Sequence, residues 1–180
     1  MVRLPFKDEY LDLCAPFLQQ YTTARDRYPF LIIAGVSRCG KTVFAERGLG
    51  FTNPFVMCSD FDMRLYDDKK NDAIILSDIK DVAAIILHYR EMFQCNRSPT
   101  TLGGSQCNQQ SFQVNTFRKP IVVTTNLDHK YEAIMDSEWI KANMFLVVAT
   151  EQMYVGELVV DDIEQSRRES VKSAETGERK

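Results

Sequence analysis

The chain has 180 residues, 44% hydrophobic and 26% charged, which can bury one sizeable core but hardly two independent ones. A net charge of −3 and a pI near 5.5 exclude a global electrostatic footprint for nucleic acid, so any such contact must come from a local basic patch. Five scattered cysteines, none spaced Cys-x-x-Cys, and two isolated histidines provide no zinc-ligand constellation and read as free thiols in a reducing compartment. No run of about 18 apolar residues occurs and the N-terminus lacks the apolar stretch of a secretory signal, so the expectation is a protein without a membrane span and with an intracellular, cytoplasmic or nuclear, location.

Residues 1–28 read as a helical lead-in. From Lys7 to Arg27 the apolar side chains Tyr10, Leu11, Leu13, Cys14, Phe17, Leu18 and Tyr21 fall roughly on one helical face, with Pro16 as a kink or break. Phe30-Leu31-Ile32-Ile33-Ala34 is a buried strand. It runs directly into Gly35-Val36-Ser37-Arg38-Cys39-Gly40-Lys41-Thr42, two glycines flanking four residues and followed by lysine and threonine. Thr42–Arg47 reads as a helical turn or two, closed by Gly48 and Gly50.

Further along, Pro54–Cys58 is a short second strand and Ala73–Leu76 a third, ending in Ser77-Asp78. Val82–Leu87 with Met92-Phe93 has near-helical spacing. Asn96–Gln106 is rich in turn residues and reads as a loop, after which Ser111–Phe117 alternates like a half-exposed strand. Pro120–Asn126 is a buried strand with a polar end, Tyr131–Met144 a helix carrying Trp139 as a core anchor, and Phe145–Ala149 a final strand. Met153–Val160 has no clear period, and residues 161–180 form a polar tail with too little apolar surface to offset the entropy of ordering it. Strands alternating with helices predict an α/β fold, a mostly parallel sheet flanked by helices in three layers, occupying residues 29–160.

The spacing of the loop has a chemical reason. Gly35 and Gly40 permit backbone torsions that a Cβ resists, so the loop can turn its N–H groups towards a phosphate, assisted by the dipole of the following helix. Gly35, Val36, Ser37, Arg38, Cys39, Gly40, Lys41, Thr42 and Val43 are the predicted nucleotide-binding set, with Lys41 reaching the β- and γ-phosphates and the Thr42 hydroxyl ligating Mg²⁺. Cys39 has two readings, a thiol sensitised by positive potential or simply a small loop residue.

Gly35, Asp78 and Asn126 all fall at predicted carboxyl ends of strands, where parallel sheets bind ligands. Asp78 serves either as a second Mg²⁺ ligand beside Thr42, or as the base for the attacking water while Ser77 and water complete the metal shell; an N-cap of the following helix is the structural alternative. Asn126 could place its amide beside the γ-phosphate, or simply form a turn before Leu127-Asp128. Lys41, Asp78 and Asn126 are therefore the candidate catalytic residues, with ATP and Mg²⁺ as the implied cofactors.

This order of segments resembles the superfamily 3 helicase domains of viral replication-initiator (Rep-type) proteins, which are similar to AAA+ ATPases. The carriers are Gly35–Thr42 as Walker A, Ala73–Asp78 as Walker B, Leu102-Gly103-Gly104 as the intervening glycine pair and Lys119–Asn126 as the sensor segment, spanning about residues 29–149. The resemblance implies an ATPase of the additional-strand type, hydrolysing ATP to remodel single-stranded nucleic acid as a homo-oligomeric ring. The chain departs from it at Ser77, which replaces the first Walker B acid, at the hairpin, which lacks a basic residue, and at Lys141, where an arginine finger would stand. Residues 1–28 are also too short for the family's nicking module and lack paired histidines, which suggests a detached or degenerate ATPase module.

Arg97, Arg118 and Lys119 with Phe112 and Phe117 form either a modest nucleic-acid patch or an ordinary solvated loop. Two other functions compete with the helicase-like one. A phosphotransferase would need an arginine-bearing lid, for which Phe61–Asp68 offers only Arg64 among several acids; a nucleotide-binding scaffold without hydrolysis is motivated by Ser77.

Overall fold

The computed structural model describes residues 5–103 and 110–155. Gly104, Cys107, the end of the 96–106 loop, most of 153–160 and the whole tail 161–180 lie outside the described residues. Phe6–Tyr154 form one compact unit; of the second, Met1–Pro5 with Val155–Lys180, only Pro5 and Val155 are described.

Five short apolar runs become one parallel sheet: β1 (Phe30–Gly35), β2 (Phe55–Cys58), β3 (Ile74–Ser77), β6 (Ile121–Asn126) and β7 (Met144–Ala149), in the order β2-β3-β6-β1-β7. The central strands β1, β3 and β6 are almost wholly buried, β1 and β3 nearly all apolar and β6 apolar over Ile121, Val122 and Val123, as suits strands covered on both faces. Alternation along β1 sends Phe30 and Ile32 into one core and Leu31 and Ile33 into the other. The first core is closed by α3 (Val82–His88), α4 (Arg90–Phe93), α5 (His129–Met135) and α6 (Glu138–Asn143) through Val82, Ile86, Phe93, Ile134 and Ile140; the second by α1 (Asp8–Gln20) through Tyr10, Cys14 and Phe17. The α/β architecture with a helix layer on each face is as expected.

Element ends differ from expectation for local reasons. α1 runs through Pro16, which lies on its exposed face, so the carbonyl that Pro16 leaves without an amide is solvated. The helix stops at Gln20, well before Arg27, because the Thr22 hydroxyl donates to the Gln19 carbonyl (2.7 Å) and the next residues wrap around the Tyr28 hydroxyl, which accepts from Arg25 N (2.9 Å) and donates to the Thr23 carbonyl (3.1 Å). The helical segment after the loop is α2 (Lys41–Val43), continued by a π turn over Phe44–Gly48.

The segment 131–144 is two helices. Ser137, with extended backbone, accepts from Ile140 N (3.2 Å) and starts α6 anew. Part of the expected 96–106 loop is a strand, β4 (Thr100–Leu102), antiparallel to β5 (Phe112–Val114); Thr-Thr-Leu is too short and too flanked by turn residues for its period to stand out. Trp139 is half-buried, stacked on Phe30 at 6.4 Å and with the Arg90 guanidinium 5.1 Å from its ring centre, the anchor its position suggested.

Candidate functional site

The parallel register of β1 and β6 sets Gly35 opposite Asn126, both last in their strands, and β3 ends beside them at Ser77. Three predicted residues thereby reach one end of the sheet. Lys41 spans them: its ammonium donates to the carbonyls of Gly35 (3.1 Å) and Val36 (2.8 Å) and to Asn126 Oδ1 (3.0 Å), with Cys39 Sγ at 3.8 Å. The side chain is buried, at 8% exposure, and among the described residues its partners are all neutral. A buried ammonium whose three protons are placed but whose charge has no counter-ion is a ready site for an anion.

The two glycines of the loop act differently. Gly40 has φ +93°, the left-handed region where glycine is favoured, and Arg38 shares it at φ +63°. Gly35 instead is needed for space: a Cβ there would lie 2.6 Å from the Ala149 carbonyl oxygen and 3.0 Å from Cys39 Sγ. This corrects the torsional reason expected for Gly35. The Val36 N–H donates to the Ala149 carbonyl (3.1 Å), and so ties the loop to β7 rather than turning inward. Ser37 and Arg38 are exposed at the loop's crest, Val43 is half-buried at the end of α2, and Cys39 is buried beside Phe44 and Ala45, a small packing residue and no accessible thiol.

Thr42 Oγ1 lies 2.7 Å from Ser77 Oγ, and the Thr124 hydroxyl donates to the same Ser77 oxygen at 3.4 Å. Ser77, only 6% exposed, is thus the centre of a cluster of three hydroxyls from α2, β3 and β6. Asp78 is the next residue, yet its backbone turns at φ +51°, and its carboxylate accepts from Lys130 Nζ at 2.6 Å. The N-cap position of α3 is Asp81, three residues on, and no side chain caps that helix; the capping alternative for Asp78 is corrected.

Lys130 was not singled out in the sequence. It sits in the first turn of α5, whose start is set by Asp128 accepting from Lys130 N (2.9 Å), and its ammonium is largely covered, with the side chain 17% exposed. A basic residue four positions after a strand-ending Asn was the available signal, but only the packing of α5 beside β6 and α3 brings it to Asp78.

A magnesium ion held by protein carboxylates does not fit this donor set, because such an ion takes one or two carboxylates beside substrate phosphates and waters. Around Thr42 the near oxygens are hydroxyls, and Asp78 is engaged by Lys130. Among the described residues no three His, Cys, Asp or Glu side chains converge on a metal position.

The basic and aromatic residues near the hairpin are elsewhere. Lys119 and Arg118 precede β6, at the opposite end of the sheet from Asn126; Lys119 Nζ donates to the Asn71 carbonyl (2.7 Å) and Arg118 to the Tyr21 carbonyl (3.4 Å). Arg97 lies over the Phe117 ring at 5.0 Å and faces Asp26 at 3.6 Å. Phe112 is part-buried on the core. In Phe61–Asp68, Arg64 pairs with Asp62, Met63 is buried and Phe61 stacks on Tyr89, so the segment is anchored on the first core. Lys141 pairs with Glu138 along α6 (2.6 Å).

No protein-family model matches the chain, and no curated protein matches it. Among the described residues no helix is long and apolar enough to cross a membrane.

Proposed function

We propose that the chain is an ATP-binding P-loop NTPase, a Rep-like helicase or ATPase module that couples ATP hydrolysis to remodelling of single-stranded nucleic acid. The observation that carries this reading is Lys41, a buried ammonium held over the loop by neutral acceptors at the carboxyl ends of β1 and β6. Replacement of those weak neutral contacts by phosphate oxygens is favourable for a desolvated cation. Strand order supports the additional-strand ATPase type, since β6 stands between the loop strand β1 and the acid-bearing strand β3.

In this reading Lys41 binds the β- and γ-phosphates and Asn126, already hydrogen-bonded to it, orients the γ-phosphate or the attacking water. Thr42 faces the phosphates, and magnesium, where present, enters with the triphosphate. The β4–β5 hairpin lies between β3 and β6 in the chain, where the resemblance puts the nucleic-acid contact, and a homo-oligomer would bring a neighbour's residues to the site.

ATP turnover by the full chain, measured with and without single-stranded DNA or RNA beside a mass measurement of the assembly, tests it. Stimulated turnover in an oligomer is expected; a monomer indifferent to nucleic acid would count against the remodelling role. Lys41→Ala is expected to weaken ATP binding by about tenfold or more, and unchanged affinity would refute the site.

A second reading, a nucleotide-binding scaffold without hydrolysis, is favoured by Ser77 and by the Asp78–Lys130 pair, which leaves no unpartnered carboxylate at the tip of β3. ATP affinity without turnover, unaltered by Asp78→Ala, would select it.

A further inference from the structure

The charge at the carboxyl end of the sheet is unusual in its sign. Lys41 contributes a buried cation with neutral partners, while the position that would hold a metal-linked carboxylate is Ser77, enclosed by the Thr42 and Thr124 hydroxyls. The adjacent carboxylate, Asp78, is neutralised by Lys130 at 2.6 Å. Among the described residues, the buried charge at this end of the sheet is thus the Lys41 cation, and a neutral hydroxyl, not a carboxylate, stands beside Thr42.

We propose that this site takes a nucleoside triphosphate free of divalent metal about as readily as its magnesium complex, with Ser77 and the Asp78–Lys130 pair as the determinants. The inference rests on the nucleotide reading above. In a phosphate site with a free carboxylate beside the threonine, a bare triphosphate is repelled at short range, and a divalent ion removes the repulsion by bridging the two anions. Binding then depends on the metal. A serine hydroxyl is uncharged and contributes no such repulsion, and it is already hydrogen-bonded to the Thr42 and Thr124 hydroxyls, so neither a penalty on the bare anion nor a strong hold on the ion remains. Lys130 acts on the same balance from the other side, because it pairs at 2.6 Å with Asp78, the carboxylate that follows Ser77 in the chain.

The test is calorimetric titration of the full chain with ATP, once in MgCl₂ and once in EDTA, at matched ionic strength. The two dissociation constants are expected to agree within about threefold. Ser77→Asp places a carboxylate in the cluster and is expected to weaken binding in EDTA by about tenfold or more while magnesium restores it. Lys130→Met frees Asp78 and should shift the ratio in the same direction, so the inference stays testable if Ser77→Asp does not fold. Wild-type affinity that falls about tenfold or more in EDTA overturns the inference and leaves nucleotide binding standing. Absence of ATP binding in both buffers overturns the nucleotide reading and this inference with it.

Discussion

Gly35 and Lys41 show how differently single residues carry this site. A methyl group at Gly35 meets a backbone carbonyl at 2.6 Å, and that carbonyl belongs to Ala149 in the paired strand β7, so it cannot swing away as a side-chain tip would. Gly35→Ala is therefore expected to destabilise the fold by about 1–3 kcal/mol, as overpacking does; a chemical-denaturation midpoint equal to wild type would show that the strands separate freely. Lys41 is held by three acceptors from the loop and β6. Its loss removes a buried charge, so on the proposed nucleotide reading Lys41→Met should lose ATP affinity with little loss of stability, a separation that parallel binding and unfolding measurements resolve. Lysine at this place was legible from the loop spacing alone. Lys130 was not, because its role comes from a contact 52 residues away in the chain.

At the scale of elements, the apolar runs located every strand of the parallel sheet to within one or two residues, because a strand buried on both faces needs nothing but apolar side chains. Helix ends were less legible, being set by single hydrogen bonds. The Thr22 hydroxyl ends α1 and Ser137 starts α6. Ser137→Ala should cost about 1 kcal/mol through the lost cap, read as a lower unfolding midpoint; because α6 carries Ile140 and Trp139 onto the core, the loss should be global rather than confined to fraying. Of the β4–β5 hairpin, β5 falls within the alternating run Ser111–Phe117, whereas β4 reads as loop because a three-residue strand carries too little periodicity to distinguish from one.

The unit Phe6–Tyr154 has two cores on either side of one sheet, and each contains a buried thiol. Burial pushes Cys14, on the α1 side, from the ordinary 9.0 up to about 12, and does the same to Cys95, whose Sγ donates to the Lys119 carbonyl at 3.0 Å. Because both values are raised in the folded chain, the folded state holds these protons where the unfolded state releases them, so their contribution to stability is complete below pH 9 and falls as pH rises from 9 towards 12. Urea midpoints measured across that interval should decline. Cys14→Ala should flatten the decline, and an unchanged slope would mean that other groups govern it.

What the sequence determined by itself was local: the glycine spacing around Lys41 and the apolar runs that become parallel strands. These depend on short-range constraints, torsion, alternation and spacing, which are written in consecutive residues. Only the tertiary structure decided that β6 lies between β1 and β3, that Asn126 meets Lys41, and that Asp78 faces Lys130 while Ser77 is enclosed by two threonines. The physical reason is that strand order and the docking of α5 are set by burial of whole faces, and it is this packing that fixes which charges at the sheet's end are cancelled and which remain.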